Sequence, residues 1–243
     1  MRVRPMSISP LIVRQGTTPG SFLPTDLPGL AAWYDASRIT GLSDGEAVAQ
    51  WDDLSGNGHH LTQATSEFRP LYKTSVLNGL PALLFDGADD RMDTADDVLA
   101  LSQPLTIGIV LINRNAFDFF ETVFDSATAA DRATSWVQSG TLEYRLFAGS
   151  DSGTTHIAAL DTPYILQWAF DGASSEVRRN GEVSSGFDPG SQGLPELRLG
   201  ANHNLGAVFF DGHILEAWLV SGHLSTSNQA LLENYANAKY GIF

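Results

Sequence analysis

The sequence WYDASRITGLSDGEAVAQWDDLSGNGHHL, residues 33–61, is the stretch that decides the fold. It places Trp33 and Trp51 around turn-forming residues, and a Ser-Gly-Asn-Gly turn follows at 55–58. Large aromatic side chains tend to be buried, whereas Gly, Asn and Ser favour turns. The stretch therefore predicts aromatic residues that anchor short elements joined by tight turns.

Two later segments extend this pattern, NGLPALLFDG at 78–87 and GHILEAW at 212–218. Together with residues 33–61 they resemble the concanavalin A-like, laminin G-like jelly rolls of phage virion and bacterial surface proteins. The resemblance covers about residues 28–243. It implies an all-β fold: an antiparallel jelly-roll β-sandwich with a short C-terminal helix. It also implies a non-enzymatic virion structural or adhesion protein, such as a bacteriophage decoration, fibre or tail component, able to bind glycans.

The hydrophobic pattern independently favours a sandwich, because short apolar runs recur between turn signals. These runs lie at 82–85, 105–112, 122–124, 142–147, 164–170, 176–179, 197–199 and 213–220. Asn180-Gly181 predicts a type I′ hairpin. One helix is predicted near the C-terminus, with Thr226 and Gln229 at capping-box spacing and Gly241 as its left-handed stop. Its predicted apolar stripe consists of Leu231, Tyr235 and Ala238.

The charge balance restricts the partners of the chain. With 14 basic and 28 acidic residues its formal net charge is −14, which disfavours nucleic acid. The longest strongly apolar run, 105–112, is too short for a membrane helix, so no membrane insertion is expected. Residues 1–10 lack the unbroken apolar core of a secretory signal. We therefore expect a virion protein made in the host cytoplasm without a signal peptide.

Residues 1–27 form a predicted extended, proline-rich arm that precedes a jelly-roll domain at 28–243. Prolines at 5, 10, 19 and 24 oppose both helix and central strand. The apolar triplet at 11–13 and the arginines at 2, 4 and 14 suit docking on an acidic surface. We expect the arm to bind other virion proteins or copies of the chain in a homo-oligomer. Packing on its own sandwich is the alternative.

No catalytic residue is predicted, so we expect a protein that is not an enzyme. Glycoside hydrolysis requires two carboxylates that flank the scissile bond, and the Glu-x-Asp-x-x-Glu strand motif of laminarinase-like jelly rolls is absent. Ser43 lies in a Gly-x-Ser-x-Gly match but lacks the strand and helix of a nucleophile elbow. The alternatives are a carbohydrate-active enzyme with a site built from separate loops, and a bacterial surface carbohydrate-binding module.

Residues 86–97 concentrate six carboxylates, and calcium prefers such oxygen ligands. The ordered Asp-x-Asp-x-Asp-Gly loop is missing, so we favour a solvated turn over a metal site. No cofactor and no metal ligand are predicted, and no recognised motif supports calcium, which is an example of the hard cations that such oxygen ligands favour.

Sugar binding requires an aromatic platform and a few fixed polar groups. Trp136 adjoins the polar turn at 138–140, whereas the other four tryptophans lie in framework-like segments. The loop at 200–206 supplies Asn202 and His203. The predicted glycan-binding residues are therefore Trp136, Asn202 and His203. The alternative interpretation is that Trp136 is buried in the core and that Asn202 and His203 lie in an ordinary connecting loop.

Overall fold

The computed structural model of the chain describes residues 22–114, 120–206 and 208–243. In these ranges it has sixteen strands in two antiparallel sheets, together with one α-helix. The predicted antiparallel sandwich with a C-terminal helix is confirmed. No helix among the described residues is long and apolar enough to span a membrane.

The strands, in chain order, are β1 (Leu30–Asp35), β2 (Gln50–Trp51), β3 (Leu61–Thr62), β4 (Leu71–Leu77), β5 (Leu80–Asp86), β6 (Met92–Asp93), β7 (Leu105–Asn113), β8 (Glu121–Asp125), β9 (Thr134–Gln138), β10 (Glu143–Phe147), β11 (His156–Ile157), β12 (Pro163–Phe170), β13 (Glu176–Arg179), β14 (Glu182–Ser185), β15 (Arg198–Leu199) and β16 (Asp211–Ser221). The helix, α1, spans Thr226–Tyr240.

The first sheet has the order β14-β13-β12-β7-β16-β5-β4, and β1 also pairs with β16. The second sheet has the order β11-β10-β9-β8-β15-β6-β3-β2. Strand β16 changes partner along its length, because its first residues pair with β5 and its later ones with β1. A register shift between Ile214 and Glu216 accompanies this change.

Side-chain alternation in β16 divides the hydrophobic side chains into two layers. Ile214 and Leu219 enter the core between the sheets. Leu215 and Trp218 point to the opposite face, where α1 covers them. Gly108 lies opposite Trp218 on β7, and a Cβ there would lie 2.1 Å from the indole Nε1. The centre of the first sheet, around β16 and β7, is therefore buried on both faces.

The predicted framework tryptophans are buried, which confirms that part of the sequence analysis. The exposures are 4% for Trp33, 1% for Trp51, and 0% for Trp168 and Trp218. Trp168 meets Phe124 of the second sheet edge to face, with 5.0 Å between the ring centroids. Aromatic contacts of this kind join the two sheets.

The predicted hairpin at Asn180-Gly181 is also confirmed. Both residues have positive φ, 49° and 89°, and they connect paired strands β13 and β14. Gly241 ends α1 in the left-handed region at φ 68°, as expected.

The predicted start of α1 is wrong by one residue. Ser225 is the N-cap, and its hydroxyl accepts a hydrogen bond from the Asn228 backbone N–H. Gln229 is buried instead, and its side chain donates to Glu176 at 2.7 Å. It therefore attaches the helix to the sheet and does not cap it.

The predicted apolar stripe of α1 is wrong as well, because Leu231 is exposed. The buried positions are Gln229, Leu232, Glu233, Ala236 and Tyr240. Glu233 can be buried because Arg178 on β13 forms a two-point ion pair with it. Polarity therefore does not mark the solvent-facing side of this helix.

The described part of the predicted arm packs on the sandwich. Phe22 contacts Tyr235 of α1 edge to face, and Leu27 is buried in the layer beneath that helix. Residues 1–21, with the arginines and the apolar triplet, lie outside the described residues. The boundary at residue 27 and the docking of the arm on a neighbour stay predictions.

Candidate functional site

A pocket of about 260 Å³ lies on the outer face of the second sheet. Val123 and Val137 point into the core, so Thr122 and Trp136 point outward from β8 and β9. The pocket is lined by Phe120, Thr122, Asp125, Arg132, Thr134, Trp136, Asn202 and Val208. We call it the outer-face pocket.

Trp136 is the partly exposed tryptophan of the chain, since the other four are buried. In β9 it lies opposite Thr122 of β8 on one side and Arg145 of β10 on the other. Thr134 is buried, and its hydroxyl donates to the Phe124 carbonyl at 2.7 Å. Two buried threonines on the sheet, Thr122 and the hydrogen-bonded Thr134, thus lie beside a partly exposed aromatic ring.

Asp125 supplies a buried carboxylate at the end of β8. Its Oδ1 accepts from the Ser126 backbone N–H at 2.8 Å, and its Oδ2 accepts from the His203 N–H at 3.0 Å. Arg132 Nε lies 3.4 Å from Oδ1. Burial raises the pKa of Asp125 to about 6, although Arg132 and both hydrogen bonds act in the opposite direction.

Arg132 extends this cluster to the predicted residue His203. One guanidinium nitrogen contacts the His203 ring, and the guanidinium carbon lies 4.9 Å from the Phe147 ring centroid. Burial lowers the pKa of His203, and the positive charges of Arg132 and Arg198 lower it further. A neutral imidazole at neutral pH has one donor and one acceptor nitrogen.

Arg198 holds the loop that carries Asn202 and His203. Its Nη1 donates to the carbonyl oxygens of Asn202 and His203, at 3.2 and 3.0 Å. Its Nε and Nη2 pair with the Asp93 carboxylate, at 2.7 and 3.3 Å. Within the loop, the Gly206 N–H donates to the Asn202 side-chain oxygen. The loop position is thus set by a residue that does not line the pocket.

The structure brings the three predicted site residues together. Trp136 and Asn202 line the outer-face pocket, and His203 contacts two of its members, Asp125 and Arg132. Sequence reasoning missed Asp125, Arg132 and Arg198. For Arg198 alone the sequence offered a local signal, because a charged residue stands between Leu197 and Leu199 in a predicted strand.

The described lining of the outer-face pocket contains one carboxyl group. Asp125 is its single carboxylate among residues 22–114, 120–206 and 208–243. Acid–base cleavage of a glycosidic bond requires two carboxyl groups that flank it. Ser43 lies in an exposed turn, and among the described residues no strand runs directly into that turn and no helix follows it directly.

The carboxylates of Asp86, Asp89 and Asp90 converge within 4.8 Å, but their contacts are those of a turn. Asp86 accepts from the N–H groups of Ala88 and Asp89, and Asp90 accepts from the Asp86 N–H. Burial and the Asp86 charge raise the pKa of Asp90 to about 7. Protonation of Asp90 can therefore relieve the repulsion that a cation would otherwise neutralise.

No protein-family model matches the chain, and no curated protein matches it. Several solved structures share its fold. Domain 4 of AbnA, a GH43 extracellular arabinanase from Geobacillus stearothermophilus in complex with arabinotriose, is 16% identical with a TM-score of 0.60. That match covers 86% of this chain and 97% of that one.

A Trypanosoma rangeli sialidase in complex with sialic acid is 11% identical with a TM-score of 0.59, over 86% of this chain and 33% of that one. This chain thus spans about a third of the sialidase. A mutant GH54 α-L-arabinofuranosidase is 15% identical with a TM-score of 0.59, over 89% and 60% of the two chains. The chain therefore shares a β-sandwich fold with these structures or with parts of them.

Proposed function

We propose that the chain is a carbohydrate-binding module whose ligand lies in the outer-face pocket. The observation that carries this proposal is the placement of partly exposed Trp136 beside Asn202 and Arg132. An indole ring stacks on the apolar face of a sugar, while amide and guanidinium groups donate hydrogen bonds to its hydroxyl oxygens.

The size of the pocket and the contacts that hold its Asn202 loop support a small, defined sugar unit. Its volume of about 260 Å³ is below that of pockets for drug-sized ligands. Arg198 and Asp93 fix the Asn202 loop, so little ordering is needed on binding. We infer that one monosaccharide of a longer glycan occupies the pocket.

The fold supports the proposal only as an analogy, because folds host many functions. Among the similar structures, one is in complex with arabinotriose and another with sialic acid. At these identities neither sugar can be assigned to this chain as its ligand. The chemistry of Trp136 and its neighbours carries the argument.

A glycan array followed by calorimetry on the bound glycans tests the proposal. Trp136→Ala should weaken binding by at least about tenfold, or about 1.4 kcal/mol, through loss of stacking. Phe243→Ala is the matched control, because it removes an exposed aromatic ring next to α1, away from the second sheet. Equal affinity in both variants, or no glycan bound by the wild type, would refute the proposal.

We also propose that binding is not followed by hydrolysis, since Asp125 is the one carboxylate of the described lining. Incubation of the protein with its bound glycan should release no new reducing ends. Release that is lost in Asp125→Asn would establish an enzyme instead.

The virion role stays a prediction from the sequence resemblance and the N-terminal arm. A glycan-binding sandwich would serve a phage adhesion protein as well as a bacterial surface protein. Immunogold labelling of particles from the source organism separates the two.

A further inference from the structure

A single lysine attaches the C-terminal helix to two buried carboxylates of the first sheet. Lys239 Nζ lies 2.7 Å from Asp35 Oδ2 and 2.8 Å from Glu216 Oε2. Asp35 and Glu216 lie opposite each other in β1 and β16, and their side chains are 1% and 0% exposed. An amine and a carboxyl group are thus held in contact where water has little access.

Aromatic side chains enclose this Lys239 cluster, which we define as Asp35, Glu216 and Lys239. Glu216 accepts hydrogen bonds from the Trp33 indole at 2.7 Å and from the hydroxyls of Tyr235 and Tyr240 at 2.9 and 2.8 Å. Removing charged groups from water is costly. A reaction that replaces an ion pair by a neutral product would relieve part of that cost.

The two carboxylates have different surroundings. Asp35 Oδ1 accepts from the Ser37 backbone N–H and hydroxyl, and Arg38 Nε lies 3.6 Å from Oδ2. These donors polarise the Asp35 carboxyl group and make its carbon more electrophilic. The three aromatic donors hold Glu216 in place beside the lysine.

Glu216 is suited to proton transfer. Burial raises its pKa, and the adjacent Asp35 raises it further, whereas the Lys239 charge opposes both effects. A carboxyl group that keeps its proton more readily than an exposed one can act as both a general acid and a general base.

We propose that Lys239 and Asp35 form an intramolecular amide bond, with Glu216 as the residue that transfers the protons. The bond would join β1 covalently to α1 and so connect the two ends of the described sandwich.

The reaction is a balanced condensation. Proton transfer from the Lys239 ammonium to the Asp35 carboxylate gives an amine and a carboxylic acid. The amine nitrogen attacks Asp35 Cγ, and Glu216 takes a proton from that nitrogen and gives one to the leaving hydroxyl. A C–N bond forms, a C–O bond breaks, and one water molecule leaves, without an oxidant. A pocket of about 270 Å³ that Asp35 and Arg38 help to line offers the water an exit.

Mass spectrometry of the full-length protein tests the proposal. The denatured wild type should weigh one water molecule less than its sequence. Trypsin does not cleave after an acylated lysine, so digestion should yield segment 15–38 joined to segment 199–243. A wild-type mass equal to that of the sequence would overturn the proposal, whatever the variants do.

Three substitutions identify the reacting groups. Lys239→Arg keeps the positive charge but cannot form this amide, so it should have the full mass. Glu216→Gln keeps the side-chain shape and should accumulate unreacted chain. Asp35→Asn, if it reacts, should lose ammonia where the wild type loses water.

Two further results would count against the proposal. Retained water loss in Lys239→Arg would place the dehydration elsewhere in the chain. A bond from Lys239 to Glu216 would appear within segment 199–243 alone and would overturn the role of Asp35. The joined wild-type peptide stays decisive even if a variant does not fold.

Discussion

Arg198 and Asp93 form a two-point ion pair between β15 and β6, with Nε 2.7 Å from Oδ1 and Nη2 3.3 Å from Oδ2. The same guanidinium holds the loop of Asn202, so the outer-face pocket depends on a residue outside its lining. Planar guanidinium groups make such multiple contacts, whereas an ammonium group is a point charge.

Arg198→Lys should therefore weaken glycan binding while the sandwich stays folded. We expect a loss on the order of tenfold, about 1.4 kcal/mol, because the Asn202 loop loses its fixed position. Arg69→Lys is the control, since Arg69 also donates to two loop carbonyls, those of Gln63 and Ala64, but neither of these residues lines the pocket. Calorimetry and thermal unfolding measure both effects, and equal affinities in the two variants would contradict the prediction.

The raised pKa of Asp125 predicts a specific pH dependence of stability. Because burial raises this pKa to about 6, the stability associated with the protonated form is present in acid and is lost as pH rises through about 6. Asp125→Asn cannot ionise, so its melting temperature relative to wild type should increase from pH 4 to pH 7. A constant difference across this range would show that Asp125 titrates normally.

Truncation of the core tryptophans should be costly. Trp51→Ala and Trp218→Ala should each lower the free energy of unfolding by about 3–5 kcal/mol, because each leaves a large cavity. Trp136→Ala is the matched comparison, since Trp136 is partly exposed and should cost clearly less. Chemical denaturation measures all three, and a similar loss for Trp136→Ala would mean that its ring is part of the core.

Two deletions should separate the docking role of the arm from its packing. Removal of residues 1–27 should lower the melting temperature by loss of buried Leu27 and of the Phe22 contact, whereas removal of residues 1–21 keeps both. If the arm docks on a neighbour, both deletions should abolish assembly. Normal assembly of the shorter deletion would assign the arm to its own sandwich.

The sequence predicts much of this fold because strand alternation and turn chemistry are local. The run at 142–147, which contains β10, and the Asn180-Gly181 turn need no knowledge of distant residues. The helix face was missed because Gln229 and Glu233 are buried through partners on β13, which no helical periodicity reveals.

The candidate site was only partly predictable for a related reason. Trp136 and Asn202 are recognisable as sugar-binding residue types in turn-rich segments. Asp125 meets the His203 loop, and Arg198 meets Asp93, across separations of 78 and 105 residues. Such pairings follow from the strand order of the second sheet, which a single sequence does not specify.

The divided pairing of β16 also affects when the protein can fold. Trp33 and Glu216, which meet where β1 joins this strand, are 183 positions apart in the chain. During synthesis β1, β5 and β7 therefore lack their common hydrogen-bonding partner until β16 has been made, and the first sheet cannot be completed before then. Sheets whose paired strands lie far apart in the sequence fold slowly, and their unpaired strand edges are exposed until the last strand is added. The sandwich should thus acquire its structure late, after most of the chain has left the ribosome.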